Sequence, residues 1–148
     1  MGRSDRMKPV VKVAEQRERA AARDFGECQQ RLAEAEARLE ELQGYRHEYG
    51  RRFQQSGGDG LSARRLHEYR TFLHRLNEAI AQQQALVGQL RQDCTAGHAQ
   101  WLETRRRSQV LDKVVDRYRA QERREEDRRE QQDSDERALT RRRTPRDE

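Results

Sequence analysis

The 148-residue chain is 40% charged and only 32% hydrophobic, with 32 Lys and Arg set against 27 Asp and Glu for a formal net charge of +5. Ordering a backbone costs ~1–2 kcal/mol per residue, and so thin a supply of large apolar side chains cannot offset that cost around a compact globular core. Two outcomes remain, disorder or an elongated fold built on a narrow seam, and periodicity decides between them.

The N-terminal MGRSDRMKPV lacks the apolar core of a signal peptide, and no later stretch approaches the roughly 20 apolar residues that span a bilayer, so a cytoplasmic, soluble protein is expected. The first periodic segment follows. Positions alternately three and four apart read Val11, Ala14, Glu18, Ala21, Phe25, Cys28, Leu32, Ala35, Leu39, Leu42, Arg46, Tyr49 and Phe53, of which only Glu18 and Arg46 are charged. This is an a/d seam on a first helix over residues 5–55.

Residues 56–62, SGGDGLS, are the one hairpin signal: three glycines permit positive φ, and Asp59 or Ser62 can cap the helix that follows. A second helix is predicted over 63–118. Its seam reads Leu66, Tyr69, Leu73, Leu76, Ile80, Gln83, Val87, Leu90, Cys94, Gly97, Trp101, Thr104, Ser108, Leu111, Val115 and Tyr118. Twelve of these sixteen are hydrophobic, where the chain-wide frequency gives about five by chance, so disorder is the worse reading.

The expected fold is therefore all-α, a single domain over 1–148 formed as a long antiparallel two-helix coiled-coil hairpin with arms of about 65–70 Å. Antiparallel packing sets a against d, which restricts register to steps of one heptad. One register pairs Phe25 with Gly97, Ala21 with Trp101 and Cys28 with Cys94, and is favoured because large residues meet small ones. The neighbouring register, with Leu39 on Leu76 and Ala14 on Trp101, stays open.

Residues 119–148 form a charged extension, with Ala120, Ala138 and Leu139 as its only hydrophobic residues. It is expected to begin as a solvated helix held by i,i+4 ion pairs of ~0.2–0.5 kcal/mol each and to fray, partly disordered, toward Thr144-Pro145. Arg141, Arg142 and Arg143 invite a nucleic-acid reading. Acidic residues interleave the tail in comparable number, so a solvated face without nucleic-acid binding is expected.

Large apolar residues off the seam carry the functional signal, because a two-stranded coil has no second core to bury them. Tyr45 and Phe72 both fall at g, and g faces g across an antiparallel pair, so they form one patch. Ala79 and Arg38 lie farther along that flank, and Leu42, Tyr49, Leu76 and Gln83 supply the adjoining d positions. Two readings of the patch stand side by side: the centre of a protein-docking site, or a cover for the seam edge. Trp101, at a, reads as core. Leu86, Leu102, Val110 and Val114 also lie off the seam, either as a second apolar surface or as a widening of the stripe.

No catalytic constellation is present. Cys28 and Cys94 have no CxxC or Cys/His cluster around them and are expected as thiols. The histidines at 47, 67, 74 and 98 show no HExxH spacing, and GGDG at 57–60 lacks the GK[ST] ending and preceding strand of a phosphate loop. A coiled coil offers no water-excluding pocket, so neither enzymatic activity, nor a metal, a cofactor or a small-molecule substrate is expected.

The stretch Val10 to Arg19, the YRHEYGRR run from Tyr45 to Arg52, the glycine loop, EYRTFLHRLNEAIAQQQ from Glu68 to Gln84, and Trp101 followed by arginines together resemble the FliJ family of flagellar export proteins. The YxxEY and YxxFLxxLxxAIxxQ runs are the specific parts. The resemblance implies a cytoplasmic, non-catalytic component of the flagellar type III export apparatus at the cytoplasmic face of the inner membrane, peripheral through protein contacts. Its implied partners are the hexameric export ATPase, engaged as the γ stalk of a rotary ATPase engages its ring, the membrane export-gate protein, and export chaperones. The gate-facing residues it implies are Leu42, Tyr45, Tyr49, Phe72, Leu76, Ala79 and Gln83, the patch that heptad analysis also picks out. Arg38 departs from the uncharged polar residue expected there. A virulence-injectisome stalk and a generic scaffolding or chaperone coiled coil share the architecture and differ in partners.

Charge mixing makes a checkable claim. In a fluorescence-anisotropy titration at about 200 mM salt, mixed-sequence DNA should show no binding, because contacts that rest on counterion release weaken steeply with salt.

Overall fold

The computed structural model describes residues 2–57 and 62–143. It contains two helices, α1 (Arg3–Ser56) and α2 (Ala63–Arg143). The conformation of the glycine turn, the alternative cap Asp59 and the end of the tail at Thr144-Pro145 lie outside the described residues. Ser62 does cap α2: its Oγ accepts from the Arg65 N–H at 3.3 Å and its carbonyl from the Leu66 N–H at 3.2 Å. The side-chain bond satisfies one of the orphan donors of the first turn, and the carbonyl bond is the first of the helical ladder. Pro9 lies inside α1, where its missing N–H leaves the Asp5 carbonyl without its helical donor.

Burial follows the heptad list almost residue for residue. Of the seam positions from Val11 to Phe53 only Arg46 is exposed, and none is exposed from Leu66 to Tyr118. Position decides this more than hydrophobicity, since Glu18, Gln83, Gly97, Thr104 and Ser108 are all drawn in. The apolar core is a single file: Ala21, Ala35, Leu42, Leu76, Ile80, Val87, Cys94 and Val115 are each 3–8% exposed. No described side chain falls below 2%, as befits a seam with solvent on both flanks. The protein is an all-α two-helix hairpin of coiled-coil type.

Contacts divide the chain into two compact units, Met1–Arg19 with Glu103–Glu148, and Ala20–Leu102. In the second unit the helices run antiparallel in the large-on-small register. A Cβ placed on Gly97 would lie 3.7 Å from the Phe25 Cα, the Phe53 ring stacks on Tyr69 at 3.7 Å, and the Cys28 and Cys94 sulfurs touch at 2.7 Å. Gln83, polar in the seam, donates from Nε2 to the Ala35 carbonyl at 3.0 Å. Arg46 turns outward and donates from Nη1 to Asn77 Oδ1 at 3.3 Å.

In the other unit the seam reaches farther than the heptad list, to Ser4 and Met7 on α1 and Glu122 on α2. The Ser4 backbone N–H donates to Glu122 Oε1 at 3.0 Å and its hydroxyl to Oε2 at 2.6 Å, so a carboxylate from α2 closes the first turn of α1. These two bonds hold the Glu122 pKa below the usual carboxylate range. The Arg3 guanidinium lies 5.9 Å from the Tyr118 ring centre. Beyond Glu122, every residue of α2 from Arg123 to Arg143 is exposed.

Burial, and next the hydrogen bond to Cys28, push the Cys94 thiol up from 9.0 to about 11. A raised folded pKa means that its stabilisation is fully present below about pH 9 and is lost as pH climbs through 11. Both cysteines are free thiols. Oxidation by diamide should join Cys28 to Cys94 within one chain. Two protons leave as the sulfur–sulfur bond forms, and the diazene is reduced to its hydrazine. Intact mass should fall by about 2 Da with no dimer on a non-reducing gel, and Cys28→Ser should abolish the change. Exclusive dimer formation would contradict the register.

Candidate protein-docking site

All seven residues singled out for docking lie in the unit Ala20–Leu102, at three depths. Leu42 and Leu76 are buried at 8% exposure and, with Ile80, form a hydrophobic cluster of buried residues, with Leu39 and Ala79 packed against it. Tyr49, Ala79 and Gln83 are half-buried. Tyr45 and Phe72 stand out at 55% and 43% exposure. The floor of the patch is thus seam, and its accessible part is two aromatic rings.

The register seats one of these rings, Phe72, among the aromatics of the seam. Phe72 packs on Tyr49 with ring centres 4.3 Å apart at 45°, and Tyr49 stacks on Tyr69 at 5.4 Å. Tyr45 precedes Tyr49 by one turn of α1 and shares its face. Aromatic pairs of this kind contribute about 0.5–1.5 kcal/mol beyond their buried area, which holds Phe72 in place while leaving much of it in water. Gln83 is less available than its neighbours because its amide N–H is committed to the Ala35 carbonyl. Arg38, at the edge of the patch, pairs with Glu41 of its own helix at 2.9 Å. The flank thus has an apolar, aromatic centre with Arg38 at its border.

Trp101 is half-buried, its ring 6.2 Å from Phe25 and 6.0 Å from His98, in keeping with its seam position. Leu86, Leu102 and Val110 are exposed, whereas Val114 is half-buried and widens the seam. A second apolar surface, in the unit containing both termini, is a groove of about 370 Å³ lined by Pro9, Val10, Val13, Ala14, Thr104 and Leu111, with Arg17 and Arg107 at its rim. The heptad reading passed over Val10 and Val13, which are 47% and 45% exposed. Two valines three residues apart, both off the seam, were the available signal. Among the described residues no cluster of His, Cys, Asp or Glu could hold a metal.

The family described as "Flagellar FliJ protein" matches residues 3–146. The flagellar FliJ protein of Salmonella typhi is 28% identical over 120 residues, covering 81% of this chain and 82% of that protein. No solved structure matches.

The layering of the patch separates stability from surface. Tyr45→Ala or Phe72→Ala should cost about 1 kcal/mol or less in urea denaturation, and Leu76→Ala about 2–5 kcal/mol. Equal losses at Tyr45 and Leu76 would mean that the aromatic rings are core.

Proposed function

Because the chain belongs to the FliJ family of flagellar export-apparatus components, we propose that this non-enzymatic helical protein couples the export ATPase ring to the membrane export gate and assists chaperone and substrate delivery. The observation that carries this reading is that Tyr45 and Phe72 stand exposed on the flank of a buried floor of Leu42 and Leu76. Phe72, seated on Tyr49 and half in water, suits the centre of a protein interface, since little of its side-chain entropy remains to be lost on docking.

The gate-docking set is Leu42, Tyr45, Tyr49, Phe72, Leu76, Ala79 and Gln83. The ATPase falls to the unit containing both termini, where the apolar groove beside Val10 and Val13 supplies a separate contact surface. Neither contact calls for a cofactor or a reaction of the protein's own. Work at the cytoplasmic face of the inner membrane would then proceed through protein contacts. Among the described residues no helix is long and apolar enough to cross a membrane.

Binding of the purified chain to the gate protein's cytoplasmic domain and to the ATPase, alongside helicity by circular dichroism, tests the assignment. Tyr45→Asp and Phe72→Asp should weaken gate binding at least tenfold while helicity and ATPase binding persist. Parallel loss of all three readouts would sink the separation of roles, and unchanged gate binding would sink the patch.

A further inference from the structure

Cys28 and Cys94 are the chain's two cysteines, and nothing in the docking reading uses them. They stand 66 residues apart in sequence, yet the seam sets sulfur against sulfur at 2.7 Å. The contact has a direction: the Cys94 S–H donates to the Cys28 sulfur, and the Cys28 S–H donates to the Leu90 carbonyl at 3.8 Å. Their surroundings differ as well. Cys94 is buried at 7% exposure, whereas Cys28 is half-buried and is thus the member of the pair open to a small dissolved reagent.

Burial keeps Cys94 protonated, its thiol pushed up to about 11, which makes it a poor first nucleophile. It is nevertheless well placed for a second step. Only about one Cys94 in ten thousand is thiolate at neutral pH, but effective molarities of groups held in contact reach roughly 10⁵ M, far above any reagent in solution. An electrophilic sulfur formed at Cys28 is therefore captured by Cys94 before a second reagent molecule arrives. Closing from 2.7 Å to a bond of about 2.05 Å asks for less than about 1 Å of sulfur movement.

We propose that Cys28 is a site of oxidation by hydroperoxides and Cys94 its resolving partner, so that the two close a reversible clasp across the hairpin. The Cys28 sulfur attacks one peroxide oxygen and the O–O bond breaks. Cys28 becomes a sulfenic acid, and the peroxide leaves as an alcohol, or as water where it is hydrogen peroxide. The Cys94 sulfur then displaces the hydroxyl from Cys28, and the Cys94 proton leaves with that hydroxyl as water. Two thiols have given two electrons to one peroxide. The loop so closed contains every residue from Leu42 to Gln83 of the proposed docking set, so the clasp fixes the register in which Phe72 sits on Tyr49.

The test treats the full chain with excess tert-butyl hydroperoxide, with and without dimedone, which traps sulfenic acids, and follows intact mass and peptide maps. The wild-type chain should lose about 2 Da as a monomer, take up little dimedone and unfold about 1 M higher in urea, all reversed by dithiothreitol. Cys94→Ser should carry dimedone on Cys28, and Cys28→Ser should stay unlabelled, both at wild-type helicity. Labelling of Cys94 in Cys28→Ser as fast as that of Cys28 in Cys94→Ser overturns the assignment of roles. Sulfinic acid, a disulfide-linked dimer or unreacted thiols as the main wild-type outcome overturns the clasp, and that measurement stands even where a variant loses helicity.

Discussion

Gly97 gives Phe25 the space to enter the seam, and the placement of these two residues sets what every other residue of their unit can touch. A two-stranded antiparallel coil has one row of interlocking side chains, so its register is a single variable. Once Phe25 occupies the hollow at Gly97, Cys28 must meet Cys94, Gln83 comes within reach of the Ala35 carbonyl, and Phe53 lands on Tyr69. The aromatic flank proposed for docking depends on the same variable, because Phe72 rests on Tyr49 only where that register holds. The shape of that flank is thus a by-product of how the core is filled, and it derives from residues well removed from it along the chain.

The fold was legible because the chain spends its few apolar residues at one spacing. Even the seam's polar members, Glu18 and Thr104, turned inward as their positions required, which shows that alternation of three and four carries more information than residue type. Register was legible only as a preference between two alternatives one heptad apart: matching large residues to small ones is a volume argument, and volume can be read from a sequence, but it did not close the choice. The extra turn of seam at Ser4 and Met7 was not. A serine has no hydrophobic signature, and what buries it is a carboxylate from Glu122, more than a hundred residues away in the chain.

For the site, sequence gave the flank but not its depth. Seven residues were expected together, and all lie in one unit, yet heptad position alone treats Leu42 and Tyr45 as neighbours of equal standing. One is floor and the other surface. Gln83 illustrates a further limit, since nothing in its spacing announces that its amide is already bonded across the seam. The groove beside Val10 and Val13 escaped because attention to g positions favours aromatic residues over small branched ones.

Arg46 occupies a place where an apolar residue would pack more tightly, and it reaches sideways to Asn77 instead. Sliding the helices by seven residues would separate this pair, put Glu18 where Phe25 now finds its hollow, and press Phe25 against Leu90. A smooth row of leucines would resist such slippage far less. The irregularities of the seam thus act like the teeth of a rack: an axial push on one helix is handed to the other before it can be dissipated as creep between them.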